Sequence, residues 1–183
     1  MPDERPRGQN PDEIFDIVDA SDTPVGRGRR SFIHANGLMH RAVHAIFFDS
    51  RGRILLQKRA LTKDSYPGAY TTSCSGHVDA GEGYDEALLR EAREELGVSL
   101  PLSAYKKIGK IEACPESENE FTWVYAASFD GPFECPPDEV DSVEWAERED
   151  FERAAAERPE LFTPSFLKAY SFYRERAKAQ RNP

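Results

Sequence analysis

The sequence predicts an α/β protein, a mixed sheet with helices on its faces. Three observations carry this. Apolar segments of strand length, each closed by a turn signal, recur along the chain. One stretch of helical spacing, Tyr84 to Leu96, interrupts them. Two more helical stretches follow the last strand. The 183 residues suit one domain, long enough to bury roughly 70% of the surface its unfolded chain exposes.

Residues 1–11 mix Pro, Gly and charge without an apolar run, so they read as a flexible tail rather than a secretory signal. Residues 12–181 read as the single domain. Glu13–Asp19 alternates Ile14, Phe15, Ile17 and Val18 with acids and meets a turn at Asp19–Pro24. It predicts a hairpin returning through Val25–Arg30. Arg41–Phe48 and Arg53–Arg59 are an antiparallel pair around the turn Asp49-Ser50-Arg51-Gly52, and Thr71–Cys74 is a short strand after the break at Tyr66–Tyr70. In Tyr84–Leu96, residues Leu88, Leu89, Ala92 and Leu96 share one side, and Gly97 is placed to end the helix. Lys107–Cys114, Phe121–Phe129 and Ser142–Trp145 are strands, and Asp150–Glu157 and Pro164–Ala179 are helices. Thr163-Pro164 supplies an N-cap followed by Pro at the first helical position.

The chain carries 24 Lys+Arg against 33 Asp+Glu, a net charge of −9, with mean hydropathy −0.67. No apolar run approaches the roughly 20 residues that span a bilayer, so no membrane partner is expected. The acidity argues against a nucleic-acid polymer, whose phosphates need a positive surface. It leaves room for a small phosphorylated ligand, because a bound cation inverts the local sign. Cys74, Cys114 and Cys135 are odd in number and form no CxxC pair, which suits a reducing, cytoplasmic setting.

The acid is concentrated. Between Gly76 and Val98 stand seven acids and two arginines, a local net of −5 and more than half of the chain's excess. Glu91, Glu94 and Glu95 lie at i, i+3 and i+4, on one helix face. Such a stack repels by a few tenths of a kcal/mol per i,i+4 pair. An acidic helix face is ordinarily solvated. Here a glycine-broken loop, Gly76–Gly83, leads into it, and Glu82 can fold back over the first turns. A loop carboxylate plus three helix carboxylates makes an oxygen-rich pocket suited to Mg²⁺ or Mn²⁺, with Arg90 as a bidentate brace for a carboxylate.

The run Gly76-x5-Glu82-x7-Arg90-Glu91-Ala92-x-Glu94-Glu95-x-Gly97-Val98 resembles a complete Nudix box, residues 76–98, with nine defined positions met. The resemblance implies a Nudix-type α/β/α sandwich with a mixed sheet. It implies hydrolysis of a small-molecule diphosphate, usually a nucleoside diphosphate linked to another group. Glu91, Glu94 and Glu95, with Glu82, would hold the divalent metal, and Gly76, Arg90 and Gly97 would support the site. Either a helix glutamate such as Glu94 or one from a distant loop would serve as base.

Outside the box, Met39–His44, Leu56–Asp64, Tyr66-Pro67-Gly68, Ser75-Gly76-His77 and Glu118-Asn119-Glu120 resemble type I isopentenyl-diphosphate isomerase and the isomerase-like Nudix hydrolases alike. By that resemblance Arg59 and Lys63 bind the diphosphate, and His40, His77, Glu118 and Glu120 belong to a second metal site. The remaining histidine ligand falls near His34, one residue off in spacing. His44 reads as a hydrogen-bonded structural histidine. Three features favour hydrolysis, the first being that Glu91 and Glu94 keep the box intact where the isomerases tend to lose it. The isomerase's acid/base cysteine position holds Ser75, with Cys74 off by one and therefore on the opposite strand face. Its tryptophan position falls at about Glu160.

The expectation is a Mg²⁺-dependent (or Mn²⁺-dependent) diphosphate hydrolase, with Glu94 or Glu120 acting on the attacking water. Isopentenyl-diphosphate isomerase is one alternative and a non-catalytic nucleotide-binding domain another. A hairpin at Glu13–Arg30 leaves monomer and homodimer both open.

Overall fold

A computed structural model describes residues 12–63 and 65–179; the expected tail, 1–11, lies outside them, as do 180 and 181 at the expected domain end. The hairpin forms as read, from β1 (Ile14–Val18) and β2 (Pro24–Arg29). The carboxylate of Asp19 caps its turn, accepting from the Ser21 and Thr23 amides at 2.8 and 3.0 Å. A short helix that the sequence reading did not anticipate follows, α1 (Arg30–Ala35).

Among the described residues the main sheet has seven strands: β3 (His40–Phe48), β4 (Ile54–Arg59), β5 (Tyr70–Thr71), β6 (Cys74–His77), β7 (Tyr105–Ile111), β8 (Glu120–Ser128) and β9 (Val140–Ala146). β3 and β8 run parallel along their full length, and the other pairs are antiparallel. The single strand expected at Thr71–Cys74 is two. β5 pairs with β4, and β6 pairs with β3. The hydroxyl of Ser73 makes the crossing, accepting from the Phe47 amide at 2.8 Å and donating to the Leu55 carbonyl at 2.7 Å. A side chain thus replaces the ladder where the chain changes neighbours.

Alternation along the strands builds two cores. Val43, Ala45, Phe47 and Leu55 face α2 (Tyr84–Leu96), whose Leu88, Ala92 and Leu96 are fully buried. Ile46, Leu56 and Val124 face the other way, against α3 (Arg148–Glu157) and α4 (Pro164–Ala179) through Phe151, Phe166 and Tyr170. The result is the α/β/α sandwich. Thr163 caps α4 as read, accepting from the Phe166 amide at 3.3 Å. Among the described residues, no helix is long and apolar enough to cross a membrane.

α2 ends at Gly97, whose φ of 67° lies in the left-handed region. A Cβ there would stand 2.8 Å from Glu134 Cβ and 3.1 Å from its carbonyl oxygen. Gly97→Ala is therefore expected to cost about 2 kcal/mol or more, from the backbone penalty plus the contact. Urea melts should show a lower midpoint with an unchanged m value.

Candidate active site

Register sets the site. On β3, His40, Ala42 and His44 point to one face. Directly opposite on β6 stand His77, across from Ala42, and Ser75, across from His44. On β8, Glu120 is the partner of His40. These strand ends open into a cavity of about 810 Å³. Its walls come from α2 (Glu91, Glu94, Glu95), the last residue of β4 (Arg59) and the segment after it (Lys63), the turn before β8 (Glu118) and the start of α4.

The three α2 glutamates all line this cavity, each held differently. The carboxylate of Glu91 sits on Gly76, where a side chain would collide with it, and accepts from Arg90 Nη1 at 2.6 Å. Glu94 accepts from the same nitrogen at 3.2 Å. Buried Glu95 accepts from the Ser75 amide at 2.9 Å. Burial pushes the Glu91 carboxyl well above the usual range and Glu95 up to about 7. The face expected to carry a cation is thus a desolvated one.

Glu82, expected among the metal ligands, is placed elsewhere. Both of its oxygens are taken by Arg90, from Nε at 3.0 Å and Nη2 at 2.9 Å, and it also accepts from the Asp79 amide at 3.0 Å. It does not line the cavity. A guanidinium fork fits one carboxylate in two bonds, and Glu82 is that carboxylate. Arg90 also donates to the His77 carbonyl at 2.8 Å, tying the loop to the helix.

Arg59 and Lys63 meet at the same cavity. Arg59 Nε donates to the Ser65 carbonyl at 3.1 Å. Lys63 is buried and faces Glu139 at 3.8 Å. Glu139 was not read as a site residue, nor were Glu13 and Asp79, which also line the cavity. Each arrives from a loop or hairpin with no local spacing to mark it.

The second cluster closes tightly. Ligand nitrogens of His34, His40 and His77 all lie within 4.8 Å of one another. His77 Nε2 is 3.1 Å and His40 Nε2 3.5 Å from Glu120 Oε1, and His34 Nδ1 is 3.4 Å from Glu118 Oε2. The one-residue offset at His34 is absorbed by α1, which carries it inward. Phe15 of β1 stacks on His77 at 4.6 Å and lids the cluster. His40 Nδ1 donates to the Leu38 carbonyl at 2.9 Å, so its Nε2 keeps a lone pair. That Nε2 and the Nε2 of His34 are buried without a hydrogen-bond partner among the described residues. Two buried imidazole nitrogens without a partner, beside the carboxylates of Glu118 and Glu120, are a donor set that fits a divalent cation. Burial resists the charge on Glu120, but the imidazoles of His40 and His77 outweigh it and hold the carboxyl well below the usual range. Burial lowers His77 to about 4.

Cys74 is 1% exposed in the α2-side core, and burial pushes its thiol up. Ser75 is the residue that faces the cavity. Glu160 is an exposed residue outside it; the wall on that side is Thr163, Pro164 and Ser165.

A pH signature follows for the metal-free protein. A carboxyl raised to about 7 when folded gives stability that is complete below its unfolded value of 4.5 and lost as pH rises through 7. Glu95→Gln keeps an acceptor for the Ser75 amide and removes that loss. Its melting temperature should exceed wild type near pH 8 and match it near pH 5, with chelator present. Equal differences at both pH values would show that Glu95 is not charged in a buried setting.

Comparisons with known proteins agree with this fold. Residues 38–166 match the model of the NUDIX domain. An isopentenyl-diphosphate Delta-isomerase of Serratia proteamaculans is 37% identical over 158 residues, 85% of this chain and 88% of that one. An uncharacterized Nudix hydrolase of Yersinia pestis is 33% identical over 178 residues, covering 94% and 93%. The crystal structure of DR0079 from Deinococcus radiodurans superposes with a TM-score of 0.67 at 30% identity, covering 79% of this chain and 90% of that one.

Proposed function

The chain belongs to the Nudix family, in its isopentenyl-diphosphate isomerase-like branch, and from that premise we propose that it is a divalent-metal-dependent hydrolase of organic diphosphates such as a nucleoside diphosphate linked to another group. One observation carries the reading: three α2 carboxylates and the cations Arg59 and Lys63 face one cavity. Glu91, Glu94 and Glu95 would hold Mg²⁺ or Mn²⁺, and His34, His40, His77, Glu118 and Glu120 a second cation. Such ions, when bound, neutralise a diphosphate and acidify water. Arg59 and Lys63 bind the diphosphate oxygens, with Glu139 holding Lys63 in place. Arg90 fixes the directions of Glu91 and Glu94. Glu94 orients the attacking water and takes its proton. Glu120 suits that task less, because two imidazoles already hold its charge. We read 12–181 as one catalytic domain, and the three free thiols suit a cytoplasmic setting.

The isomerase reading rests on the relatives in this branch. Against it, none of the described residues lining the cavity is a cysteine, and Ser75 stands where a thiol would be needed. A hydroxyl is far less acidic than a thiol and a poor proton carrier for an alkene. The deciding experiment is a metal-dependent hydrolysis screen over nucleoside di- and triphosphates, dinucleotides, nucleotide sugars and prenyl diphosphates. Isopentenyl diphosphate is assayed in parallel for its dimethylallyl isomer. Hydrolysis that falls at least 100-fold in Glu94→Gln and Glu95→Gln supports the proposal. Full turnover in Glu95→Gln, or isomerisation without hydrolysis, overturns it.

A further inference from the structure

One thiol stands outside the diphosphate chemistry and against an amine. Cys114 comes just before the turn Pro115–Ser117, which packs on α4. Lys168 of α4 places its Nζ 2.5 Å from Cys114 Sγ, and both residues are partly exposed. An N–H···O bond spans about 2.7–3.2 Å, and sulfur is larger than oxygen. The pair is therefore closer than a hydrogen bond between them would hold it. A direct N–S bond is excluded too, since even two sulfurs bond at about 2.0 Å. The spacing is that of a nitrogen and a sulfur joined through one shared oxygen. A partly exposed cysteine beside a lysine is also of the kind that peroxide oxidises.

Cys114 anchors a turn that reaches the site. Its carbonyl accepts from the Ser117 and Asn119 amides at 3.0 and 2.9 Å. Between them Glu118 and Asn119 hold left-handed backbone, with φ of 54° and 61°. From this turn Glu118 faces His34, and Glu120 follows as the first residue of β8. The helix that carries Lys168 lines the same cavity with Pro164 and Ser165. A bond from Cys114 to Lys168 would join two walls of one cavity.

We propose that Cys114 and Lys168 form a redox-reversible modification site, an Sγ–O–Nζ bridge made by peroxide. One peroxide oxidises the thiol to a sulfenic acid; its O–O bond breaks and water leaves. The Lys168 ammonium yields a proton to solvent, and a second peroxide oxidises the amine to a hydroxylamine, again releasing water. The hydroxylamine oxygen then attacks the sulfenic sulfur. The new S–O bond forms, and the sulfenic hydroxyl leaves as water with the hydroxylamine proton. Thiol and amine together lose four electrons, and two peroxides take them. Two equivalents of a dithiol return the four electrons, restoring thiol and amine and releasing the bridging oxygen as water.

The test is peptide mapping by mass spectrometry of the full chain after hydrogen peroxide. The expected product is a peptide pair joining Cys114 to Lys168, heavier by one oxygen and lighter by two hydrogens than its reduced parts. Dithiothreitol should release both peptides. The two residues are 54 positions apart, so closing that loop should raise Tm by roughly 5–10 °C, and reduction should reverse the rise. Cys114→Ser and Lys168→Arg should each abolish the pair and the rise. In Lys168→Arg the oxidation should stop at a sulfenic acid on Cys114, which dimedone labels. Absence of the pair, a pair without the oxygen, or a Tm rise that persists in either variant would overturn the proposal. Where a variant does not fold, the mass of the wild-type pair decides. The outcome is independent of which substrate the cavity takes.

Discussion

Alanine at Arg90 is expected to lose both stability and activity, and to regain part of the stability in Mg²⁺. The guanidinium donates to both oxygens of Glu82, to Glu91, to Glu94 and to the His77 carbonyl, with Asp79 at 3.7 Å. Removing it leaves carboxylates facing one another without their shared cation. Breaking a fully buried pair costs about 3–5 kcal/mol. The Arg90 side chain is 25% exposed, so solvent lowers the expected cost to about 2–4 kcal/mol. In a chain of this length that is a fall of roughly 5–15 °C in Tm. The sign with pH is fixed. Carboxyls without Arg90 have raised folded pKa values, so the deficit grows as pH rises above the ordinary carboxyl range and shrinks in acid. A divalent cation bound only by the folded state adds about 2.7 kcal/mol at a hundredfold excess over Kd, so the variant's own Tm rises in Mg²⁺. Arg90→Lys keeps the charge but not the fork and should fall between the two. A Tm for Arg90→Ala that matches wild type, or ignores Mg²⁺, would show that Arg90 is a surface residue of no structural weight.

The parts of the molecule legible from sequence are those set by neighbours along the chain. α2 was read to its bounds because Gly97 and the spacing of Leu88, Ala92 and Leu96 are local signals. The parity of Cys74 and Ser75 was readable for the same reason, since one step along a strand changes the face. The histidine cluster is different. It exists because β3 pairs with both β6 and β8 in one register, which no local pattern encodes. Its members came only from the family resemblance, and His34 was uncertain because α1 was not foreseen. Glu13, Asp79 and Glu139 reach the cavity by tertiary routes, and an acid in a loop carries no periodicity. Glu82 was misplaced for a related reason. Spacing shows that it can reach the helix but not that Arg90 takes both of its oxygens.

Alanine at Gly76 is expected to spare the fold and disable the site. A Cβ there would fall 2.0 Å from Glu91 Cδ and 2.1 Å from Oε1. Gly76 lies in β6, paired with Val43, so its backbone accepts alanine without strain. The colliding atoms are the end of a flexible side chain, so the carboxylate gives way and the strand stays. Leaving its place breaks the 2.6 Å bond from Arg90 and withdraws one oxygen donor from the cation site. Activity should fall roughly 10–100-fold, with a matching rise in the Mg²⁺ concentration needed for half activity. Tm should move by only a few degrees, about 1 kcal/mol. The cause is separable from general damage. Glu91→Asp alone shortens the side chain and should also lower activity. Combined with Gly76→Ala, the shorter acid clears the new methyl group, so the double variant should lose less than the two single losses multiplied. Multiplicative losses would mean that the methyl group and Glu91 act independently, and the close approach of Gly76 to that carboxylate would not be what the glycine is there to allow.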